Sequence, residues 1–381
     1  MITSFLPRLV ILALAGALVA FGLVVQASVS DAMGVDLVTR QLQWCVVAAA
    51  AVILLAFVPY SWWVRHAYLV YGGSLFLLAL VPVIGVVRNN SRRWLELGVS
   101  VQPSELMKFA FIIAMARLLR YRDEGSRAAS LLVPGLFFAV PVLMIFAQPD
   151  LGTSLLFAPV ALAMLFAAGL SVRRTAAILG GGVGFAVIGY AFFLKPYQQA
   201  RVLSTFFRDR LTDADRLVEG YQLEQALHSV GIGGWWGEGW GAGAQNRMNA
   251  LPYRHNDFIY SVVCEEWGFV GGLTLVLLMF ALLLAIFRVA VATRDPEARL
   301  LAVGVGTLIG TQSVVHVGVN LGAVPTTGMT LPFVSAGGTS LLSFAFAIAI
   351  VLNLAGRSAF VFASDPVREQ MDRLRRLARA R

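Results

Sequence analysis

The chain is 381 residues long, 58% hydrophobic and only 13% charged. Counted with glycine and without tyrosine, the apolar share is about 65%, against roughly 45–50% in soluble domains, so a soluble globular protein is excluded. The formal net charge of +9 does not point to nucleic acid, because a polyanion binder would spread its Lys and Arg along an exposed face of a polar domain.

In chain order, ten apolar stretches are long enough to cross a hydrocarbon layer of roughly 30 Å, which takes about 20 helical residues. They lie near residues 9–29, 42–60, 66–87, 103–119, 130–147, 153–170, 174–194, 258–287, 299–322 and 333–355. The pattern predicts an all-α polytopic integral membrane protein with about ten transmembrane helices. The first run follows Arg8 and is longer than a signal-peptide core, so it is read as a retained anchor. With both termini in the cytoplasm, eighteen arginines fall inside and only Arg40, Arg88, Arg92 and Arg93 in the short outer loops, which is the orientation that basic residues favour. The inside set includes Arg122, Arg127 and the tail. The expected layout is one membrane domain over 1–364, with a long extracytoplasmic loop over 195–257, and a basic cytoplasmic tail over 365–381. That tail suits anionic lipid heads better than nucleic acid.

Polar residues concentrate towards the outer side. In QPSELMK, Pro103 suits a helix start, and Glu105 and Lys108 are three apart and can pair on one face. They either lock neighbouring helices as a neutralised pair or open a polar cavity in which Lys108 holds an anion. SRRWLELG places Arg92, Arg93 and Trp94 at the outer surface, where guanidinium groups match a diphosphate. In AQPDLGTS, Asp150 sits in a tight outer link and can cap the following helix.

The long loop carries GIGGWWGEGWGAG, Gly231 to Gly243, seven glycines with Trp235, Trp236 and Trp240. This reads as a re-entrant or interfacial loop whose backbone can approach a ligand, not as a phosphate loop. The loop ends in LPYRHNDFIYSVVCEEWG. Asp257 can act there as a helix N-cap, or, with Arg254 and His255 at the mouth of the helix and Glu265 and Glu266 within it, as a general base facing an amphiphilic substrate. TTGMTLPFVSAGGTS, Thr326 to Ser340, is a polar outer segment that must line a cavity or pack on protein; Ser335, Gly337 and Gly338 are its candidate substrate contacts. His316 and Asn320, four apart, read equally as interhelical hydrogen-bonders or as ligands. Cys45 and Cys264 have no ligand spacing and there are four histidines, so neither a disulfide framework nor a Cys/His zinc site is expected.

On these residues the sequence resembles the SEDS family, whose members include RodA and FtsW. RRWLELG, QPSELMK, QPDLGTS, GYQLEQAL, the Trp/Gly loop, LPYRHNDFIYSVVCEEWGFVGG and TGMTLPFVSAGGTS occur in the family's order over nearly the whole chain. The resemblance implies a ten-helix glycosyltransferase of the cell (inner) membrane. Such an enzyme polymerises lipid II into peptidoglycan strands, with a class B penicillin-binding protein as partner, help from a divalent cation (Mg or Mn) and no organic cofactor. It implies that Asp257 is the essential aspartate, and that Arg93, Trp94, Glu105, Lys108 and Asp150 are further sensitive positions. Asn256 stands where members usually have Thr, and Ala336 where they usually have Tyr. Arg254 is RodA-like, whereas TTGMTLPFVS is closer to FtsW.

The mechanism expected from this inventory is inverting. Asp257 takes the proton of an acceptor hydroxyl, while Arg93, Lys108 and Arg254 or a metal ion stabilise the departing diphosphate. The rival readings are a lipid II flippase and a silent scaffold for the penicillin-binding protein.

Overall fold

The computed structural model describes residues 2–88, 91–96, 98, 100–120, 131–192, 194–207, 211–212 and 220–362. Arg122, Arg127 and the basic tail lie outside the described residues. The chain runs α1 (Ile2–Met33), α2 (Leu37–Ala56), α3 (Tyr60–Arg65), α4 (Ala67–Ile84), β1 (Val86–Arg88), β2 (Ser91–Glu96), β3 (Ser100–Val101), α5 (Pro103–Leu119), α6 (Leu132–Ala147), α7 (Leu151–Ala167) and α8 (Val172–Phe192). It continues with α9 (Pro196–Phe206), α10 (Tyr221–Ile232), α11 (Ala244–Arg247), α12 (Ile259–Ala292), α13 (Pro296–Asn320) and α14 (Gly338–Phe362). Among the described residues, the ten helices of 16 residues or more fall on the ten apolar stretches. Six of them, α1, α2, α4, α12, α13 and α14, are long and apolar enough to cross a membrane unaided, and α6 and α7 are shorter apolar helices. This is a multi-pass membrane architecture.

Helix boundaries follow local chemistry. Asp36 accepts from the Thr39 amide at 2.9 Å to start α2, Asp295 accepts from Glu297 N at 3.1 Å to start α13, and Pro103 sits in the first turn of α5. The run expected to stay helical to 87 stops at Gly85 (φ −69°, ψ 147°). There the chain enters an antiparallel sheet of order β1-β2-β3, with Val86 opposite Trp94 and Leu95 opposite Val101. The expected outer loop over 195–257 holds the short helices α9, α10 and α11.

The connections sort onto two ends. At one, the Tyr60 hydroxyl donates to Asp295, Arg120 pairs with Glu297, Arg117 donates to the Val64 carbonyl at 2.7 Å and Arg8 to that of Leu352 at 2.9 Å. At the other lie the sheet, the start of α7, α9 to α11 and the α13–α14 link. The core between them centres on α5, which is buried on every side from Phe109 to Ala116, as a helix apolar all round should be. On α12, by contrast, Phe269, Leu273, Leu277, Phe280 and Leu284 form an exposed stripe at helical spacing, a lipid-facing side.

One long helix is not continuous. At Gly268 (φ 64°, ψ −161°) α12 breaks, which frees carbonyls before the break and amides after it. The Trp/Gly loop takes up both sets. Glu238 N and Gly239 N donate to the carbonyls of Glu265 and Glu266 at 2.9 and 3.0 Å, while Phe269 N and Val270 N donate to those of Gly234 and Trp235 at 2.8 and 3.2 Å. A Cβ on Gly268 would lie 2.5 Å from the backbone of Trp235, Trp236 and Gly237. The glycines therefore bring the loop against the protein's own helix, not against a ligand as the sequence reading had it. Trp235, Trp236 and Trp240 stay exposed around it.

Candidate active site

The residues expected to cap α12 do something else. Its N-cap is Phe258, whose side chain makes no capping bond, so Asp257 is not the cap. The N–H and hydroxyl of Ser261, in the first turn, instead donate to the Asn320 side-chain oxygen at 3.0 and 2.8 Å. Asp257 is partly exposed at the end of the bundle that carries the sheet, and a Cβ on Gly328 would lie 3.7 Å from its Oδ2. Desolvation lifts its carboxyl pKa to about 6, opposed by the positive charges of Arg201 and Arg93. At neutral pH such a group is still roughly nine-tenths ionised, yet basic enough to take a proton.

The two guanidinium groups come from elements far apart in sequence. Arg93, on β2, donates to the Gln148 carbonyl at 3.2 Å and to that of Pro149, and lies 3.6 Å from Asp150 Oδ1. Asp150 is buried, accepts from Thr153 N at 3.2 Å as the N-cap of α7, and accepts from Gln102 at 3.3 Å. Gly152 then lets α7 abut Thr327, since a Cβ there would be 2.7 Å from its carbonyl oxygen. Arg201, on α9, reaches the Thr326 carbonyl at 3.5 Å and lies over the Tyr197 ring.

The α13–α14 link and the turn before α12 both hang on one polar face of α13. Gln312, His316 and Asn320, each four residues on, bond the carbonyls of Thr330 (2.9 Å), Met329 (2.8 Å) and Asp257 (3.0 Å). Ser335 Oγ donates to the Asn256 carbonyl at 2.7 Å and Ala336 N to that of His255 at 2.9 Å, which ties the link to the turn before Asp257.

Residues 5–359 match the FtsW/RodA/SpoVE cell cycle protein family. The chain belongs to this family. It is 36% identical over 362 residues to a protein of Trichlorobacter lovleyi named Probable peptidoglycan glycosyltransferase FtsW, covering 91% of this chain and 92% of that one. The protein so named in Nitrosomonas europaea is 35% identical over 307 residues, covering 78% and 77%. Among solved structures, a chain of a peptidoglycan synthase complex that coordinates polymerization and crosslinking superposes with TM-score 0.79 at 32% identity, covering 92% and 97%. The rod shape determining protein RodA of Thermus thermophilus superposes at 0.68 with 30% identity, covering 91% and 95%.

Several residues expected to touch substrate in this FtsW/RodA/SpoVE-family chain are occupied otherwise. Lys108 is 2% exposed and donates to Glu105 (2.8 Å) and Gln312 (3.0 Å), while Ser343 donates to Glu105 at 2.9 Å. This geometry fits the helix-locking alternative, joining α5, α13 and α14, with the ammonium on the Glu105 carboxylate and the Gln312 amide oxygen. Arg254 is buried and donates to Asn249 Oδ1, so the cations beside Asp257 are Arg201 and Arg93. Burial, followed by the charge of Arg254, lowers the pKa of His255 and favours its neutral form. Trp94 lies in the sheet opposite Val86. Ser335 is buried in the link, Gly337 N donates to Gln41 at 3.3 Å, and Gly338 makes room for the Trp44 ring, which a Cβ would meet at 1.9 Å. Sequence reasoning missed Arg201, which stands in no motif, and Gln312, whose place four residues before His316 was the available signal.

A divalent cation finds a poor donor set at Asp257, one carboxylate beside two guanidinium groups. Among the described residues no group of three or more His, Cys, Asp or Glu side chains could hold a metal ion. The residues present do not fit a metal there.

Proposed function

We propose that this protein is a glycosyltransferase of cell-wall synthesis that polymerises lipid II at the outer face of the cytoplasmic membrane, with both termini inside. The observation that carries the reading is the Asp257 carboxyl, with a pKa of about 6, partly exposed at one end of the bundle near Arg93 and Arg201. Hydrolysis of a glycoside takes two carboxyl groups because an alcohol must be protonated as it leaves. A lipid-linked sugar expels a diphosphate, so one base and positive charge suffice.

Asp257 takes the proton of the acceptor N-acetylglucosamine 4-hydroxyl as that oxygen bonds to the anomeric carbon of the donor N-acetylmuramic acid, with inversion. The bond from that carbon to the diphosphate breaks, and its electron pair leaves with the phosphate oxygen. The proton then passes from Asp257 to water. Arg93 and Arg201 offset the charge that develops on the leaving group. The similar chain solved within a peptidoglycan synthase complex supports a class B penicillin-binding protein as partner.

The test is strand synthesis by the purified protein from labelled lipid II in detergent, where nothing can be flipped. Wild type is expected to form polymer, and Asp257→Asn to lose about 10²- to 10⁴-fold while still inserting and binding its partner. Polymerisation at the wild-type rate by Asp257→Asn would remove the base; no polymer from wild type would favour a flippase or scaffold.

A further inference from the structure

Resting on the reading of Asp257 as base, we propose that Asn320 is a positioning residue that takes over the capping of α12 and so keeps the Asp257 carboxylate free for proton transfer. Asn320 ends α13 and is 0% exposed. Its amide donates to the carbonyls of Asp257 at 3.0 Å and His316 at 2.8 Å, and its oxygen accepts from Ser261 N at 3.0 Å and Ser261 Oγ at 2.8 Å. One side chain thus fixes the backbone of Asp257 and satisfies a first-turn donor of the helix behind it.

An aspartate just ahead of a helix normally meets that donor itself, and Phe258, the actual N-cap, cannot. Without the Asn320 oxygen, Ser261 Oγ loses its acceptor and Ser261 N–H keeps only the Phe258 carbonyl at 3.1 Å, and Asp257 is the nearest carboxylate ahead of the helix. A carboxylate drawn to a helix N-terminus is held in its charged form and is a weaker base. The other charged or titratable groups around Asp257 are Arg201 on α9, Arg93 on β2, and Arg254 and His255 in the preceding turn; His316 contributes through its backbone carbonyl to Asn320. None of them replaces the Asn320 oxygen as the side-chain acceptor for Ser261.

The experiment is the pH profile of kcat for strand synthesis in detergent, with wild type, Asp257→Asn, Asn320→Ala and Asn320→Asp compared at equal folded fraction. Asn320→Ala is expected to lose about 10- to 100-fold in kcat with KM within about twofold, and its acid limb to move down by about one pH unit. Asn320→Asp keeps an acceptor for Ser261 but sets a second carboxylate beside Asp257, so its acid limb moves up. Opposite displacements are the signature. If both variants lose activity with the acid limb at the wild-type pH, or keep wild-type kcat, Asn320 is only structural and the proposal is overturned. An active Asp257→Asn would instead overturn the base assignment on which the proposal rests.

Discussion

Asp257 draws its chemistry from two opposed effects, a dry setting that raises its pKa and two guanidinium groups that lower it. Activity should therefore fall about tenfold per unit below pH 6, as the base becomes protonated. Removing one cation should move that limb in a known direction. With Arg201→Gln the opposing charge is lost, the pKa of Asp257 rises, and the acid limb shifts to higher pH while kcat drops; a limb that stays put would show that Arg201 does not act on Asp257. Asp257 was legible as a candidate because an aspartate beside Arg254 and His255, just ahead of a long apolar run, reads as a base as readily as a helix cap. Arg201 was not, because its partner lies on another helix and one arginine among several in a long loop carries no spacing signal. Asn320 was seen as one of two polar residues four apart, but its capping of α12 joins positions 59 apart in the chain.

At the scale of the element, the long helices were readable from apolar run length alone, since the bilayer fixes both length and composition. The short sheet was not. Its strands of three, six and two residues are too brief to show alternation, and Arg92 and Arg93 masked it as a charged loop. Nor could the break in α12 be seen, because Gly268 looks like any glycine in an apolar helix. Gly268→Ala places a Cβ 2.5 Å from the Gly237 amide at a φ of 64°, so it should destabilise the junction of α12 with the Trp/Gly loop by about 1–3 kcal/mol or more. Gly180→Ala, in α8 with nothing within 4 Å, should be neutral or mildly stabilising. Thermal melting in detergent separates the two, and equal melting temperatures would refute the repair of the break by the loop.

The Glu105–Lys108 pair makes a second element-scale prediction. Lys108→Met leaves a buried carboxylate without its cation and should cost about 3–5 kcal/mol, whereas adding Glu105→Gln should restore most of it. A double variant no better than the single would mean that the lysine serves a bound anion and not the helix lock.

Across the whole molecule, the two ends of the bundle gather different chemistry. Arg117, Arg120 and Arg8 tie helices together at one end, and Asp257 with Arg93, Arg201 and the Trp/Gly loop occupies the other. In a variant with Cys45→Ala, Cys264 being buried, Met248→Cys should react with a membrane-impermeant thiol reagent in intact cells and Arg294→Cys should not, as both native residues are exposed at opposite ends. The reverse labelling would invert the orientation. The fold also dictates an order of completion. Asp257 leaves the ribosome well before Gly328, Ser335 and the helix that follows them, yet those late segments form one wall of its surroundings and tie down the turn ahead of it. A chain that stopped before Gly328 would leave Asp257 without that wall and its turn without the Ser335 tie.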